Sequence, residues 1–311
     1  MKLHEFPNAF RDLISIVSAD KHLPESTIER DYYIVLLLQK LANSEYAERC
    51  VFKGGTSLSK CYPGSIERFS EDIDLTYLGE EGMSDKQYSK NIKNIESLMT
   101  LGFQTEKIEA ERNNRNKSMQ VWMFDKKDGI KLEIGSQIRP DPYSKKILKT
   151  YIQEFLETHG GEDDVIKYDL EEVSLNVLDI TRTFLDKIMS VKRHAICGTI
   201  EKKVRHIYDV TRLFYKPEIK AFLSDKENLR NLVSVTKQTD AYYLGKRNIP
   251  KSYDPSGLYN FECWKHSLNS NVRLAYESLH KELLYTDIQQ DFDEALSVFS
   301  KISKILSDIG E

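Results

Sequence analysis

One short stretch constrains the fold of this chain more than any other: an apolar run leads into a pair of glycines, and a strand with two aspartates follows. The run Cys50-Val51-Phe52 predicts a strand, and Gly54-Gly55-Thr56-Ser57 predicts a turn at the start of a helix. Asp72-Ile-Asp-Leu-Thr-Tyr77 alternates polar and apolar residues, which is typical of a half-buried strand. The fold must therefore contain a strand, a turn, a helix and a second strand in this order, and the aspartates of the second strand must stay accessible.

These residue types predict a site for phosphate and a divalent metal. Residues i and i+2 of a strand point to the same face, so Asp72 and Asp74 converge. Two neighbouring carboxylates repel each other, and a hard cation such as Mg²⁺ relieves that repulsion. Glu133, in the run Lys131-Leu132-Glu133-Ile134, is the candidate for a third carboxylate. Backbone N–H groups beside glycines at a helix start can approach a phosphate, which gives four candidate residues: Gly54, Gly55, Thr56 and Ser57.

Hydrophobic periodicity divides the chain into a mixed N-terminal part and a helical C-terminal part. Helices are expected at 7–19, 26–42, 58–62 and 84–101, the second opening with a capping box of Ser26 and Glu29. Strands are expected at 50–52, 72–77, 103–111, 118–125 and 130–138, with hairpin turns at 113–116 and 126–129. Later helices are expected at 181–196, 201–215, 226–240, 268–285 and 288–308. We therefore expect an α+β protein with a small mixed sheet flanked by helices in domain 1–160 and a mainly helical domain 161–311.

Composition narrows the class of protein further. The 311 residues include 45 Lys and Arg against 49 Asp and Glu, a net charge of -4, so the chain as a whole has no electrostatic preference for nucleic acid. Its four cysteines form no CxxC pair, which favours reduced thiols over disulfides or a zinc site. The N-terminus has no signal-peptide pattern, and the longest apolar run, Tyr32–Leu38, is far shorter than the ~20 residues that span a bilayer. A cytoplasmic location is expected.

The motifs and their order resemble the nucleotidyltransferase superfamily with the polymerase-beta fold, and more closely its AbiEii/AbiGii branch of bacterial abortive-infection and toxin–antitoxin toxins. The resemblance is carried by Gly-Gly-Thr-Ser-Leu-Ser-Lys (54–60), Arg-Phe-Ser-Glu-Asp-Ile-Asp-Leu (68–75) and the helix start Ile-Glu-Arg-Asp-Tyr (28–32). Phe-Leu-Asp-Lys (184–187), followed by Lys192-Arg193, and Arg-His-Ile-Tyr-Asp (205–209) extend it to about residue 215. Two features depart from the generic superfamily pattern. The Gly55–Asp72 spacing is longer, although normal for this branch, and the third acid is Glu133 where aspartate is common.

This resemblance implies a metal-dependent enzyme that transfers a nucleoside monophosphate from an NTP to an RNA acceptor, such as tRNA, and releases pyrophosphate. Asp72 and Asp74 would hold Mg²⁺, or Mn²⁺, and Glu133 would share one metal and help to deprotonate the attacking hydroxyl. Lys187 would contact the triphosphate, and the helical domain would complete the nucleotide and acceptor site with Arg205 and Asp209. A cognate antitoxin would hold such a toxin in check.

Each feature also has an ordinary structural explanation. Thr56 and Ser57 can simply cap a helix, and Glu133 can be an exposed strand residue. Lys187 can be a surface residue of its helix. Arg205 and Asp209, at i and i+4, can form a helix salt bridge. These explanations are compatible with the functional ones, since a capping or paired residue can also line a site.

Two further features are open to more than one interpretation. Asp31 matches the family, but an aspartate in the first turn also serves the helix dipole. Residues 182–216 contain nine Lys and Arg against three acids, so the local charge is 9 - 3 = +6. That excess fits either a basic face for an NTP and an RNA backbone or a solvated helix surface.

Two other functions are compatible with the same motifs. The enzyme could transfer the nucleotide to a protein side chain or a small hydroxylated molecule such as an aminoglycoside, because the helical domain carries no readable acceptor code. The chain could also be an NTP-binding interaction protein with little turnover, although the presence of all three acids argues against that.

Overall fold

The computed structural model describes residues 2–123, 128–136, 139–244, 253–282, 284–286 and 290–310, and the chain forms two compact units. The first unit consists of Met1–Cys61, Phe69–Ser136 and Tyr143–Leu178, and the second of Tyr62–Arg68, Gln137–Pro142 and Asp179–Glu311. The sequence placed the division near residue 160. The first unit runs on to Leu178 because a strand that follows residue 160 belongs to its sheet.

The described residues of the first unit form a seven-stranded mixed sheet. Its strands are β1 (Cys50–Lys53), β2 (Ile73–Tyr77), β3 (Gln104–Lys107), β4 (Asn116–Trp122), β5 (Gly129–Gly135), β6 (Tyr143–Leu148) and β7 (Val173–Leu178). They lie in the order β3-β4-β5-β2-β1-β7-β6. The β2–β5 and β1–β7 pairs are parallel and the other neighbours antiparallel. The expected α+β class and mixed sheet are confirmed, but β6 and β7 were missed.

The predicted strand ends differ from the structure in several places. The strand expected at 103–111 is shorter, because β3 is followed by a 3₁₀ turn at Glu109–Glu111. The strand expected at 118–125 begins earlier, at Asn116, and β5 ends at Gly135. Residues 124–127 and 137–138, which complete the expected strands and the second hairpin turn, lie outside the described residues.

Six helices belong to the described part of the first unit: α1 (Pro7–Lys21), α2 (Glu25–Ala42), α3 (Gly54–Cys61), α4 (Asp85–Met99), α5 (Tyr151–Thr158) and α6 (Glu162–Lys167). Helices α2, α3 and α4 contact strands of the sheet. Helix α2 is apolar on most sides, and Leu37, Leu38 and Leu41 are fully buried. The capping box expected at Ser26 is wrong, because α2 already begins at Glu25. A capping box is instead formed at the start of α4, where Ser84 and Gln87 bond reciprocally.

The described part of the second unit is helical: α7 (Ile180–Ile196), α8 (Val204–Phe214), α9 (Pro217–Ser224), α10 (Lys226–Leu244), α11 (Ser270–Glu282) and α12 (Phe292–Asp308). Its core includes Trp264, whose ring meets that of Phe261 at a centroid distance of 4.7 Å. The expected helices are confirmed with ends shifted by a few residues, and α9 was missed. In the described residues, we find no helix with both the length and the apolar character needed to cross a bilayer.

Candidate active site

The central strands place the predicted carboxylates on one face of the sheet. Asp74 on β2 has Glu133 on β5 as its parallel partner and Lys53 on β1 as its antiparallel partner. Their neighbours Ile73 and Leu132 point the other way and are fully buried. Asp72 lies two residues before Asp74, just outside β2, and is exposed. The sequence alternation therefore brings Asp74 and Glu133 side by side on an accessible face, which we call the acidic face (Asp72, Asp74, Lys131 and Glu133).

Gly54 supports the Asp74 carboxylate directly. A Cβ added to Gly54 would lie 2.3 Å from Asp74 Oδ2 and 3.1 Å from its Cγ, so the carboxylate occupies the space that any other residue would fill. Gly54 also has φ of +89°, in the left-handed region that favours glycine. Helix α3 begins at this residue, immediately after β1. Glycine is required here both for the turn and for the position of Asp74.

Replacing Gly54 by alanine is expected to lower nucleotidyl transfer by about tenfold or more, because the new methyl group displaces the Asp74 carboxylate. Gly82→Ala is the matched control, since Gly82 also has positive φ (+80°) but nothing lies within 4 Å of its added Cβ. Both variants should lose a little thermal stability from backbone strain. Transfer rates are compared at equal folded fraction, and equal rates for the two variants would contradict the role given to Gly54.

The Thr56 and Ser57 hydroxyls are engaged inside the protein. Both side chains are buried; Thr56 Oγ1 donates to the Asp72 carbonyl, and Ser57 Oγ donates to the Gly54 carbonyl at 3.0 Å. Thr56 thus ties the glycine turn to the segment that enters β2, and the Ser57 bond lies within the first turn of α3. The expected phosphate contact of Gly54, Gly55, Thr56 and Ser57 stays a prediction, and with these hydroxyls engaged it rests on the backbone N–H groups of the first turn of α3.

A lysine lies among the acids of this face. Lys131 Nζ is 2.7 Å from Glu111 Oε2 and 3.5 Å from Glu133 Oε2. Burial alone would lower the pKa of Lys131, but Glu111, Glu133 and Asp72 together outweigh it and raise that pKa. The ammonium group therefore stays charged and shows that the acids hold a cation between them.

The donors of the acidic face fit a divalent metal. Asp72, Asp74 and Glu133 offer carboxylate oxygens, and Mg²⁺ in nucleotide enzymes takes only one or two carboxylates, with waters and substrate phosphates as further ligands. Across the described ranges, no three His, Cys, Asp or Glu side chains are gathered closely enough to hold a metal by themselves. Binding of a metal at this face stays a prediction, in which waters and substrate phosphates would supply the further ligands.

The start of α2 anchors both segments that lead to the acidic face. Arg30 pairs with Glu71, the residue before Asp72. The Asp31 carboxylate is 2.7 Å from Lys60 Nζ, near the end of α3, and accepts a 2.7 Å bond from the Tyr151 backbone N–H. The function of Asp31 was left open by the sequence, and its contacts show that it anchors α3.

In the second unit, Lys187 and Asp209 lie together. Lys187 Nζ is 2.7 Å from Asp209 Oδ2. The Arg68 guanidinium binds both oxygens of the Asp209 carboxylate. Its Nε donates to Oδ1 at 2.6 Å, and its Nη2 donates to Oδ2 at 2.7 Å. Burial would raise the pKa of Asp209, but these two cations outweigh it and hold the pKa well below its usual range. We call these three residues the buried ion cluster. Arg68 was missed as a functional candidate, although it opens the Arg-Phe-Ser-Glu-Asp motif.

The surface-residue explanation of Lys187 and the helix salt bridge suggested for Arg205 and Asp209 are both wrong. Lys187 is only 5% exposed, and Asp209 is fully buried against Arg68 and Lys187, whereas Arg205 is exposed on α8. Arg205 is thus not part of the buried ion cluster, and its part in nucleotide binding stays a prediction.

The positive charge of residues 182–216, which the sequence left open to two interpretations, is only partly exposed. Arg182 is fully buried and pairs with Asp186, while Lys192 donates to the carbonyls of Gly257 and Leu258. Five of the nine cations are buried or ion-paired within the second unit: Arg182, Lys187, Lys192, Arg193 and Arg212. With the two acids Asp186 and Asp209, these five cations account for 5 - 2 = +3, half of the local charge excess.

The class of protein to which this fold and acidic face belong is shown by a family match: the chain is a nucleotidyltransferase. The family described as "Nucleotidyl transferase AbiEii toxin, Type IV TA system" matches residues 36–298, which is most of the chain. The chain belongs to this family, and membership implies an NTP substrate and an antitoxin partner. The match begins after the Ile28–Tyr32 motif and continues well past residue 215, into α12.

Two bacterial proteins are among the solved structures to which the chain shows similarity. MenT4, a nucleotidyltransferase toxin from Mycobacterium tuberculosis H37Rv, is 18% identical with a TM-score of 0.48 and covers 95% of this chain and 98% of its own. JHP933 from Helicobacter pylori is 17% identical with a TM-score of 0.39 and covers 84% of this chain and 96% of its own. A comparison with curated protein sequences gives no match.

Proposed function

We propose that this toxin transfers a nucleoside monophosphate from an NTP to a hydroxyl group of an RNA, with tRNA as the acceptor, in a reaction that needs Mg²⁺ or Mn²⁺ and takes place in the cytoplasm. The observation that carries the proposal is the pairing of Asp74 with Glu133 beside the Gly54 turn. This arrangement offers carboxylates for a metal and, next to them, the backbone N–H groups of a helix start for a phosphate.

In the proposed reaction, the acceptor hydroxyl oxygen forms a bond to the α-phosphorus of the NTP. The bond from that phosphorus to the bridging oxygen of the β-phosphate breaks, and pyrophosphate leaves. Glu133 takes the proton of the attacking hydroxyl. Asp72, Asp74 and Glu133 would hold the metal when it is bound. Bound Mg²⁺ would neutralise charge that develops on the transferred phosphate and on the leaving oxygen.

The remaining predicted residues bind the nucleotide in this proposal. The contact of Lys187 with the triphosphate rests on the family resemblance, and Asp209 holds the Lys187 ammonium group in the 2.7 Å ion pair. The choice of RNA as acceptor rests on the family resemblance. It is supported by the exposed cations Lys202 and Arg205 near the start of α8, which can meet a phosphate backbone.

The proposal is tested by incubating the purified protein with total cellular RNA, Mg²⁺ and each α-³²P-labelled NTP in turn, beside Asp72→Ala. We expect label on a discrete RNA band and none with the variant, because Asp72 is an exposed metal ligand whose loss leaves the fold intact. Full activity of Asp72→Ala would overturn the metal assignment. Label in the protein or small-molecule fraction alone would overturn the RNA acceptor and leave the reaction class intact.

A further inference from the structure

Lys131 has a position that neither the motifs nor the proposed reaction explains. It lies on β5 two residues before Glu133, so both side chains point to the acidic face. Ile73 and Leu132 are strand partners in the parallel β2–β5 pair. Asp72 and Lys131 are the residues that precede them, so they occupy equivalent positions on the two chain segments. The ammonium group therefore lies within the set of carboxylates that would hold the metal.

The charges on this face are balanced in part by lysines. Four carboxylates lie on it or beside it: Asp72, Asp74, Glu111 and Glu133. Lys131 contacts two of them, and Lys53 is the strand partner of Asp74. The side chains of Lys131 and Glu133 are each 29% exposed, so water screens their charges only in part. Even without a metal or a nucleotide, lysine side chains therefore compensate part of the negative charge of the acidic face.

We propose that Lys131 acts as a counter-cation that makes the acidic face bind the divalent metal as its nucleotide complex in preference to the free ion. The inference rests on the proposed function, since it concerns the same metal and nucleotide. Lys131 is thus a specificity residue, because its positive charge disfavours the free divalent cation and favours the negatively charged metal–nucleotide complex.

The physical argument predicts effects of opposite sign for the two ligands. A free divalent ion at the acidic face is repelled by Lys131, which at about 5 Å and near-aqueous screening weakens its binding about tenfold. A metal–triphosphate complex carries net negative charge, and the same ammonium attracts it. Removing Lys131 should therefore strengthen binding of the free ion and weaken binding of the complex, whereas general damage to the site would weaken both.

The test is titration of the full chain with Mn²⁺, followed by electron paramagnetic resonance of the free ion, alone and with the α,β-methylene analogue of each NTP. For Lys131→Gln we expect about tenfold tighter binding of Mn²⁺ alone and several-fold weaker binding of the Mn²⁺–analogue complex. Lys131→Arg keeps the charge and should resemble the wild type. Lys145→Gln is the matched control, because Lys145 lies on the edge strand β6 of the same sheet, away from the acidic face, and pairs with Glu48.

Unchanged or weaker binding of Mn²⁺ alone by Lys131→Gln would overturn the inference while leaving the proposed function in place, provided that the wild type binds both ligands. A wild type that binds Mn²⁺ neither alone nor with any analogue would overturn the metal-dependent function and the inference together. If Lys131→Arg binds the two ligands as Lys131→Gln does, the inference is also overturned, because the positive charge would then not be the cause of the effect.

Discussion

Replacing Asp74 by asparagine is expected to reduce nucleotidyl transfer about 10³-fold or more while the protein keeps its fold. The amide has nearly the shape of the carboxylate, so the space above Gly54 stays filled. It has lost the negative charge and one of the oxygens that a divalent metal requires. The half-buried Asp74 also lies beside Glu133, so removing its charge relieves repulsion between like charges and should leave the melting temperature unchanged or slightly higher.

The measurement is the rate of label transfer at saturating Mg²⁺ and NTP, with the melting temperature followed by circular dichroism. Glu106→Gln is the matched control because Glu106 is an exposed carboxylate on β3, in the same sheet. It should transfer at the wild-type rate. A loss of activity in Asp74→Asn accompanied by a clear drop in melting temperature would assign Asp74 to the fold and not to the chemistry.

Replacing Asp209 by asparagine is expected to destabilise the protein by about 3–5 kcal/mol, because it removes the only negative charge of the buried ion cluster and leaves two buried cations facing each other. Both Arg68 and Lys187 are nearly fully buried, so water cannot compensate. The measurement is urea unfolding at pH 7. Arg205→Met changes an exposed charge on the same helix and should alter stability by less than about 0.5 kcal/mol.

The pH dependence of this effect follows from the lowered pKa of Asp209. A carboxyl whose folded pKa lies below its unfolded value of 3.8 contributes stability above that value and loses it as the pH falls toward the folded pKa. The difference in unfolding free energy between the wild type and Asp209→Asn should therefore be constant from neutral pH to about pH 5 and shrink below about pH 4. A difference that stays constant down to pH 3 would contradict an ionised Asp209 in the folded protein.

The parts of the fold that sequence reasoning predicted are those whose signals are local. The glycine turn and the alternation of Asp72 to Tyr77 each depend on residues close in the chain, and the structure places them as expected. The alternation in β5 likewise predicted which face Glu133 occupies, although its pairing with Asp74 joins residues 59 positions apart. Hydrophobic periodicity was enough to predict the orientation of these side chains, because β2 and β5 each bury one face.

What sequence reasoning missed depends on contacts that no local pattern encodes. Arg68 meets Asp209 across 141 positions, and an arginine in a motif carries no sign of its distant partner. Charge counting left two interpretations of residues 182–216 open, because it cannot show that a lysine such as Lys192 is buried against backbone carbonyls. Strand β6 was missed because its Lys145 and Lys146 suit an exposed edge strand and dilute the apolar pattern.

The winding of the chain between the two units limits how this toxin can be dissected genetically. The backbone passes from one unit to the other at five points, after Cys61, Arg68, Ser136, Pro142 and Leu178. A fragment that ends at Leu178 keeps Arg68 but loses Asp209, and one that starts at Asp179 has the reverse defect. Neither half is a self-contained building block, so split-protein or domain-exchange variants should be built as insertions or circular permutants that keep Tyr62–Arg68 with the helices.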